Sequence, residues 1–243
     1  MTPEGSPFWA RLRDHLLEGP DAGAWASNAV ALWLGRQDEL DPHRLPILPY
    51  LTSFALRIHP DPALAGHLVN HLLHLALGPV VFLLGRRWMG RGPALGAALL
   101  AVTYPPAVMA AERYGVDPLV AVALPASLLA AEGAARRWAL SPVFGLVVGL
   151  LATCHLTTIG MPVPALLLTL FRGDPGWRRW LGALGLVAGA LLGVGLAFAS
   201  YPTLPWDILV GSLAEGVTPS GAAGSPPAVR ASIERAAEVV VAG

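Results

Sequence analysis

Five charged residues in two separated stretches carry the side chains that a group transfer to a hydroxyl would need. Asp21 follows Gly19-Pro20 and opens an apolar run, and Arg44 stands in the turn Arg44-Leu45-Pro46-Ile47-Leu48-Pro49-Tyr50. Glu112, Arg113 and Asp117 fall between two further apolar segments. A carboxylate can take the proton of an attacking hydroxyl as general base. A guanidinium offers a leaving phosphate a bidentate and permanently charged partner. Acids beside a phosphate could also share a divalent cation through oxygen ligands. Each residue has a plainer part open to it. Asp21 could cap the helix that follows it, and Arg44 could be a surface charge beside lipid headgroups. Glu112 could be an ordinary loop acid, and Asp117-Pro118 a helix start.

His67, His71 and His74 form a second constellation. At about 100° per residue they fall on one narrow helical face bordered by Asn70. Imidazoles at i and i+4 can share a zinc ion. A polar stripe turned to a bundle interior or an aqueous cavity is the other reading, and polar residues inside a membrane usually take that place. With no acid or cysteine partner in the same segment, the stripe is the reading favoured here.

The elements that must position these residues are announced by a repeated triplet. Arg86-Arg87-Trp88, Arg136-Arg137-Trp138 and Arg178-Arg179-Trp180 each bound a long apolar stretch. Arginine concentrates in cytoplasmic loops and tryptophan at headgroup level, so the triplets predict one shared membrane face, with an even number of crossings between them. Composition agrees: 54% of residues are hydrophobic and 13% charged, against about 25% charged in ordinary soluble domains. The sixteen basic residues, all arginine, balance sixteen acids, which argues against a nucleic-acid partner.

The predicted fold class is all-α, a polytopic transmembrane bundle of about six spans of roughly 20 residues. The spans are 63–84, 94–111, 116–131, 140–157, 159–171 and 181–200, the fifth interrupted by Pro162 and Pro164 and read as re-entrant or tilted. The loops at 85–93, 132–139 and 172–180 hold Arg86, Arg87, Arg91, Arg136, Arg137, Arg172, Arg178 and Arg179, while Arg113 is the lone arginine of the opposite loops between spans. By the positive-inside rule, residues 1–62, the loop around Glu112 and Asp117, and the tail 201–243 with Asp207 and Glu215 lie outside the cytoplasm. Residues 1–62 thus form a first external loop with short helices. Such a segment would have to be exported without a signal peptide or a preceding span, which points to a truncated chain. Gly185, Gly189 and Gly193, and likewise Gly145 and Gly149, recur every four residues and predict close helix packing. Cys154 lies in an apolar stretch as a packing residue, His155 suits an interface, and Tyr50 and Trp206 suit interface anchors.

The order of these elements resembles the GT-C superfamily of membrane glycosyltransferases, in the branch of protein mannosyltransferases and the lipid A aminoarabinose transferase. The elements are an acid opening the first external loop (Asp21), a short helix ending at Gly35, and the turn from Arg44 to Tyr50. After them come a span bearing Asn70, the inner loop Gly85-Arg86-Arg87-Trp88-Met89-Gly90, and a second external loop from Pro105-Pro106 to Asp117. The resemblance implies an enzyme moving a sugar from a polyprenyl-phosphate donor to a lipid, glycan or protein hydroxyl on the extracytoplasmic face, usually with inversion. It implies Asp21 as general base, Arg44 and Arg113 as donor phosphate contacts, and Glu112 and Asp117 as second acids for acceptor or metal. Tyr50, His67, Asn70, His71 and His74 would then line the cavity. The alanine-, arginine- and glycine-rich make-up suits a bacterial inner membrane. A transporter or channel subunit using the His67/Asn70/His71/His74 face is the alternative from another class. It lacks the paired broken helices that often mark transporter sites.

Overall fold

Apolar runs rich in alanine and leucine, with no period-2 alternation, satisfy their backbone groups internally as helices, which is what a hydrocarbon solvent demands. The computed structural model describes residues 21–41, 44–155, 158–173 and 175–199. Among them every regular element is helical. The expectations for residues 1–19 and for the tail with Trp206, Asp207 and Glu215 lie outside the described residues.

The chain divides into two compact units. The described residues of the first fall within 21–70 and 112–115. Its described part holds α1 (Ala22–Leu34), a 3₁₀ turn (Gln37–Glu39), α2 (Ile47–Ala55) and the opening turns of α3 (Pro62–Trp88). Helix α1 ends in a Schellman motif: Gly35 takes φ 72°, its N–H donates to Leu32 O, and Arg36 N–H donates to Ala31 O. Glycine adopts this left-handed geometry without steric cost, which is why the apolar run stops there.

The second unit holds the rest of α3, then α4 (Arg91–Thr103), α5 (Pro105–Ala111), α6 (Asp117–Arg136), a 3₁₀ turn (Trp138–Leu140), α7 (Ser141–Ala152), α8 (Pro162–Arg172) and α9 (Trp177–Phe198). Helices α3, α6 and α9 are long and apolar enough to cross a membrane, and α4 with α5 makes a fourth if the bent pair is one span. The other two expected spans appear as shorter apolar helices. Helix α7 has 12 residues and α8 has 11, about 18 Å and 16 Å at 1.5 Å per residue.

Two features trace to proline. Across the expected span 94–111 the chain bends by 51° between α4 and α5. Tyr104, which precedes Pro105, is extended at ψ 118°, because a residue before proline is pushed out of the helical region. In the 159–171 segment Pro162 and Pro164 do not interrupt a helix. They begin α8, where the missing N–H groups would have had no intrahelical partner.

The glycine pattern is realised as backbone contact between α7 and α9. A Cβ added at Gly145 would strike the backbone of Leu186, one at Gly149 that of Ala190, and one at Gly189 the Pro142 carbonyl. Where burial of apolar surface gives helices no reason to associate, such close approach supplies dispersion contacts instead.

The arginine-bearing loops meet around one carboxylate. Glu132, near the C-terminus of α6, has a side chain 2% exposed. It accepts from Arg172 Nη1 at 2.8 Å, Arg136 Nη2 at 3.2 Å and Trp88 Nε1 at 3.4 Å. Trp138 and Trp177 lie with ring centroids 5.7 Å apart. The ends of α3, α6 and α8 therefore share one end of this unit, as the triplets predict. The glycine seam makes its own prediction. Gly189→Ala lowers the thermal unfolding midpoint in detergent by the equivalent of about 1–3 kcal/mol. Gly195→Ala, whose added Cβ meets nothing within 4 Å, does not.

Candidate functional site

The first unit builds a polar cluster from one face of α1. Asp21, Trp25 and Asn28 recur at i, i+4 and i+7, so they stand in one row along the helix. Asn28 is fully buried. Its Nδ2 donates to Asp41 O at 2.9 Å, and its Oδ1 accepts from Asp41 N–H at 2.8 Å. That double clip pins the segment after the 3₁₀ turn against α1. Three residues on, Arg44 turns back over α1, its guanidinium carbon 5.6 Å from the Trp25 ring centroid. Its Nη2 meets Asp21 Oδ1 at 2.5 Å, and its Nε lies 3.7 Å from Asp41 Oδ2.

The side chains of Asp21 and Arg44 keep 43% and 26% of their exposure. The pair is therefore open to an incoming molecule. Asp21 precedes α1 but makes no side-chain capping hydrogen bond, so its carboxylate serves Arg44 and not the helix start. An acid held between a guanidinium and solvent can exchange that partner for another, and a guanidinium with a second carboxylate beside it keeps its position when it does. Asn28 and Asp41 thus set the geometry of the residues that sequence reasoning singled out. Neither was singled out for that part, because a clip between positions 13 apart leaves no periodic signature.

The loop before α6 contributes residues 112–115 to the same unit. Tyr114 is 2% exposed, and its hydroxyl lies 2.9 Å from Thr52 Oγ1 of α2. The Tyr114 ring covers Gly66, where an added Cβ would collide with it. Asn70 Nδ2 donates to Arg113 O at 2.5 Å. These contacts fix the loop backbone and leave the Glu112 and Arg113 side chains exposed. Among the described residues no ion pair or hydrogen bond joins Glu112 or Arg113 to Asp21 or Arg44. Asp117 belongs to the second unit, as the exposed first residue of α6 followed by Pro118. Tyr50 is half-buried in the first turn of α2.

A chain carrying this arrangement can be compared with known proteins. A family model described as dolichyl-phosphate-mannose-protein mannosyltransferase matches residues 42–206. The chain belongs to that family. The match takes in Arg44, Tyr50, Asn70, Glu112, Arg113 and Asp117, while Asp21 lies upstream of it. No curated protein and no solved structure matches the chain. Membership in the mannosyltransferase family makes the chain a GT-C-type membrane glycosyltransferase with a lipid-linked sugar donor and a glycan or protein acceptor in general terms. With its long apolar helices it is an integral membrane protein.

The histidine face divides by partner. His71 is exposed and His67 half-buried, while His74 Nε2 lies 2.9 Å from Val102 O. In a continuous helix that carbonyl would accept from the N–H of residue 106. Pro106 has none, so the imidazole supplies the donor that the broken span lacks. Asn70, expected along a cavity, is fully buried, and its Nδ2 donates to the Arg113 carbonyl. Among the described residues no group of three or more histidine, cysteine or acidic side chains is placed to hold a metal ion. The Asn28 clip can be tested directly. Asn28→Leu leaves the Asp41 backbone groups without partners and costs about 1–3 kcal/mol, read as a lower unfolding midpoint, with faster proteolysis in the segment 37–44.

Proposed function

We propose that this membrane glycosyltransferase moves a sugar from a polyprenyl-phosphate donor to a hydroxyl on the extracytoplasmic face, with Asp21 as general base and Arg44 as the phosphate contact. The observation that carries the reading is the open ion pair between Asp21 and Arg44, braced by Asp41 and Trp25. Before donor binds, the two groups neutralise one another. The donor phosphate competes for Arg44 Nη2 and takes the place of Asp21, while Asp41 and the Trp25 ring keep the guanidinium in position. The released carboxylate then accepts the acceptor's hydroxyl proton as that oxygen attacks the anomeric carbon. The bond from that carbon to the phosphate oxygen breaks, and the polyprenyl phosphate leaves with its charge matched by Arg44. Arg113, exposed on a loop fixed by Tyr114 and Asn70, is available as a second phosphate contact, and Glu112 and Asp117 as acids for acceptor or divalent cation.

The alternative of a transporter or channel has less support, because Asn70 and His74 are each engaged with a backbone carbonyl. In the membrane-reconstituted protein supplied with a polyprenyl-phosphate sugar and a hydroxyl acceptor, Asp21→Asn lowers kcat about 10²- to 10⁴-fold. Arg44→Gln raises the donor KM as well as lowering kcat, and Arg44→Lys, a point charge without the planar fork, restores activity only in part. Wild-type turnover in Asp21→Asn would remove Asp21 from the reaction.

A further inference from the structure

The arginine-bearing end of the second unit contains a cavity that the glycosyl transfer does not use. It measures about 410 Å³ and is lined by Leu83, Arg86, Arg87 and Arg136. That size falls within the roughly 300–1,000 Å³ of ligand sites. We propose that it binds a phosphate-bearing anion, with the headgroup of an anionic phospholipid as the favoured source.

The charge distribution carries the argument. Among the described residues Glu132 is the acid at this end, and it is engaged within the protein by Arg136, Arg172 and Trp88. Among the described residues Arg86 and Arg87 make no hydrogen bond or ion pair. Arg136 gives one guanidinium nitrogen to Glu132 and retains its other N–H donors, because a guanidinium carries five. The cavity therefore gathers three guanidinium groups around a space with no carboxylate on its wall. Like charges so placed repel, and an anion between them relieves the repulsion while giving bidentate partners to the fork of each arginine.

The wall also says which anion fits. Leu83 belongs to α3, one of the helices long and apolar enough to cross the membrane, and Trp88 and Met89 are exposed at its end. Tryptophan at a helix end marks the headgroup level. A ligand with a phosphate at that level and an acyl chain along Leu83 satisfies both kinds of wall. Basic pockets between transmembrane helices bind lipid headgroups in this way. Glu132 acts here as a positioning residue, since its carboxylate holds one nitrogen of the Arg136 guanidinium.

The test uses the purified protein in a neutral detergent. Native mass spectrometry compares retention of phosphatidylglycerol with that of phosphatidylcholine, with inorganic phosphate added as competitor. Wild-type protein should retain phosphatidylglycerol about tenfold or more over phosphatidylcholine, because each basic residue near an anionic headgroup adds to the preference. Arg86→Gln/Arg87→Gln should lose that preference, and Arg86→Lys/Arg87→Lys should keep part of it. If millimolar inorganic phosphate raises the unfolding midpoint while neither lipid is preferred, the site takes free phosphate, and the shared chemistry stands. Equal retention of both lipids by wild-type protein with no effect of phosphate overturns the proposal, whether or not the glutamine variant folds. Unchanged preference in a folded glutamine variant overturns it equally. Since glycosyl transfer rests on other residues, loss of lipid preference with turnover intact separates this site from the reaction.

Discussion

A chain dissolved in hydrocarbon gains little by pressing apolar helix faces together, and that constraint governs how this protein is held. Lipid tails are as apolar as leucine, so association must come from close backbone approach and from polar groups that have no better partner. Both devices are present. Helices α7 and α9 touch through Gly145, Gly149 and Gly189, with no side chain between their backbones. At the arginine-bearing end of the second unit, Glu132 ties the ends of three helices with charge-assisted contacts that water would weaken if it reached them freely. In the first unit polar groups pair as well, in the Asn28 clip and the bond between Thr52 and Tyr114.

Much of this was legible because it is periodic or compositional. The repeated Arg-Arg-Trp triplets, the glycines at every fourth position and the length of the apolar runs are properties of neighbouring residues. The structure repeats them as converging loop ends, a backbone seam and long helices. What escaped reading was pairwise and distant. Glu132 sits one residue past an apolar run and looks like a loop acid until Arg172, forty positions on, is found beside it. Thr52 and Tyr114 are 62 positions apart. Pro162 and Pro164, read as interrupting a span, begin α8 for a related reason. Their identity was plain, but whether a proline starts a helix or breaks one depends on where the helix begins, and that is settled by its packing.

The candidate site was legible in a more uneven way. Asp21 and Arg44 were picked out for their chemistry and meet in one cluster, although the family match begins downstream of Asp21. The residues that hold them, Asn28 and Asp41, carry no chemical signal of their own, since an amide clipping a backbone segment looks like any polar residue on a helix. Asn70 and His74 were read as a cavity lining because polar residues in apolar helices usually face one. Each also meets a backbone carbonyl, of Arg113 and of Val102, 43 and 28 positions away.

The bond from His74 to Val102 O bears on how histidines within apolar helices are interpreted. A carbonyl only accepts, so the imidazole must present N–H at Nε2, and it does so both as the neutral Nε2–H tautomer and as imidazolium. The repair of the broken span is therefore indifferent to protonation. What this position requires is reach and a donor, and an amide side chain of similar length would satisfy both. A histidine in the middle of a membrane helix can thus stand in for an N–H group that a proline on another helix, 32 positions along the chain, has taken from the backbone.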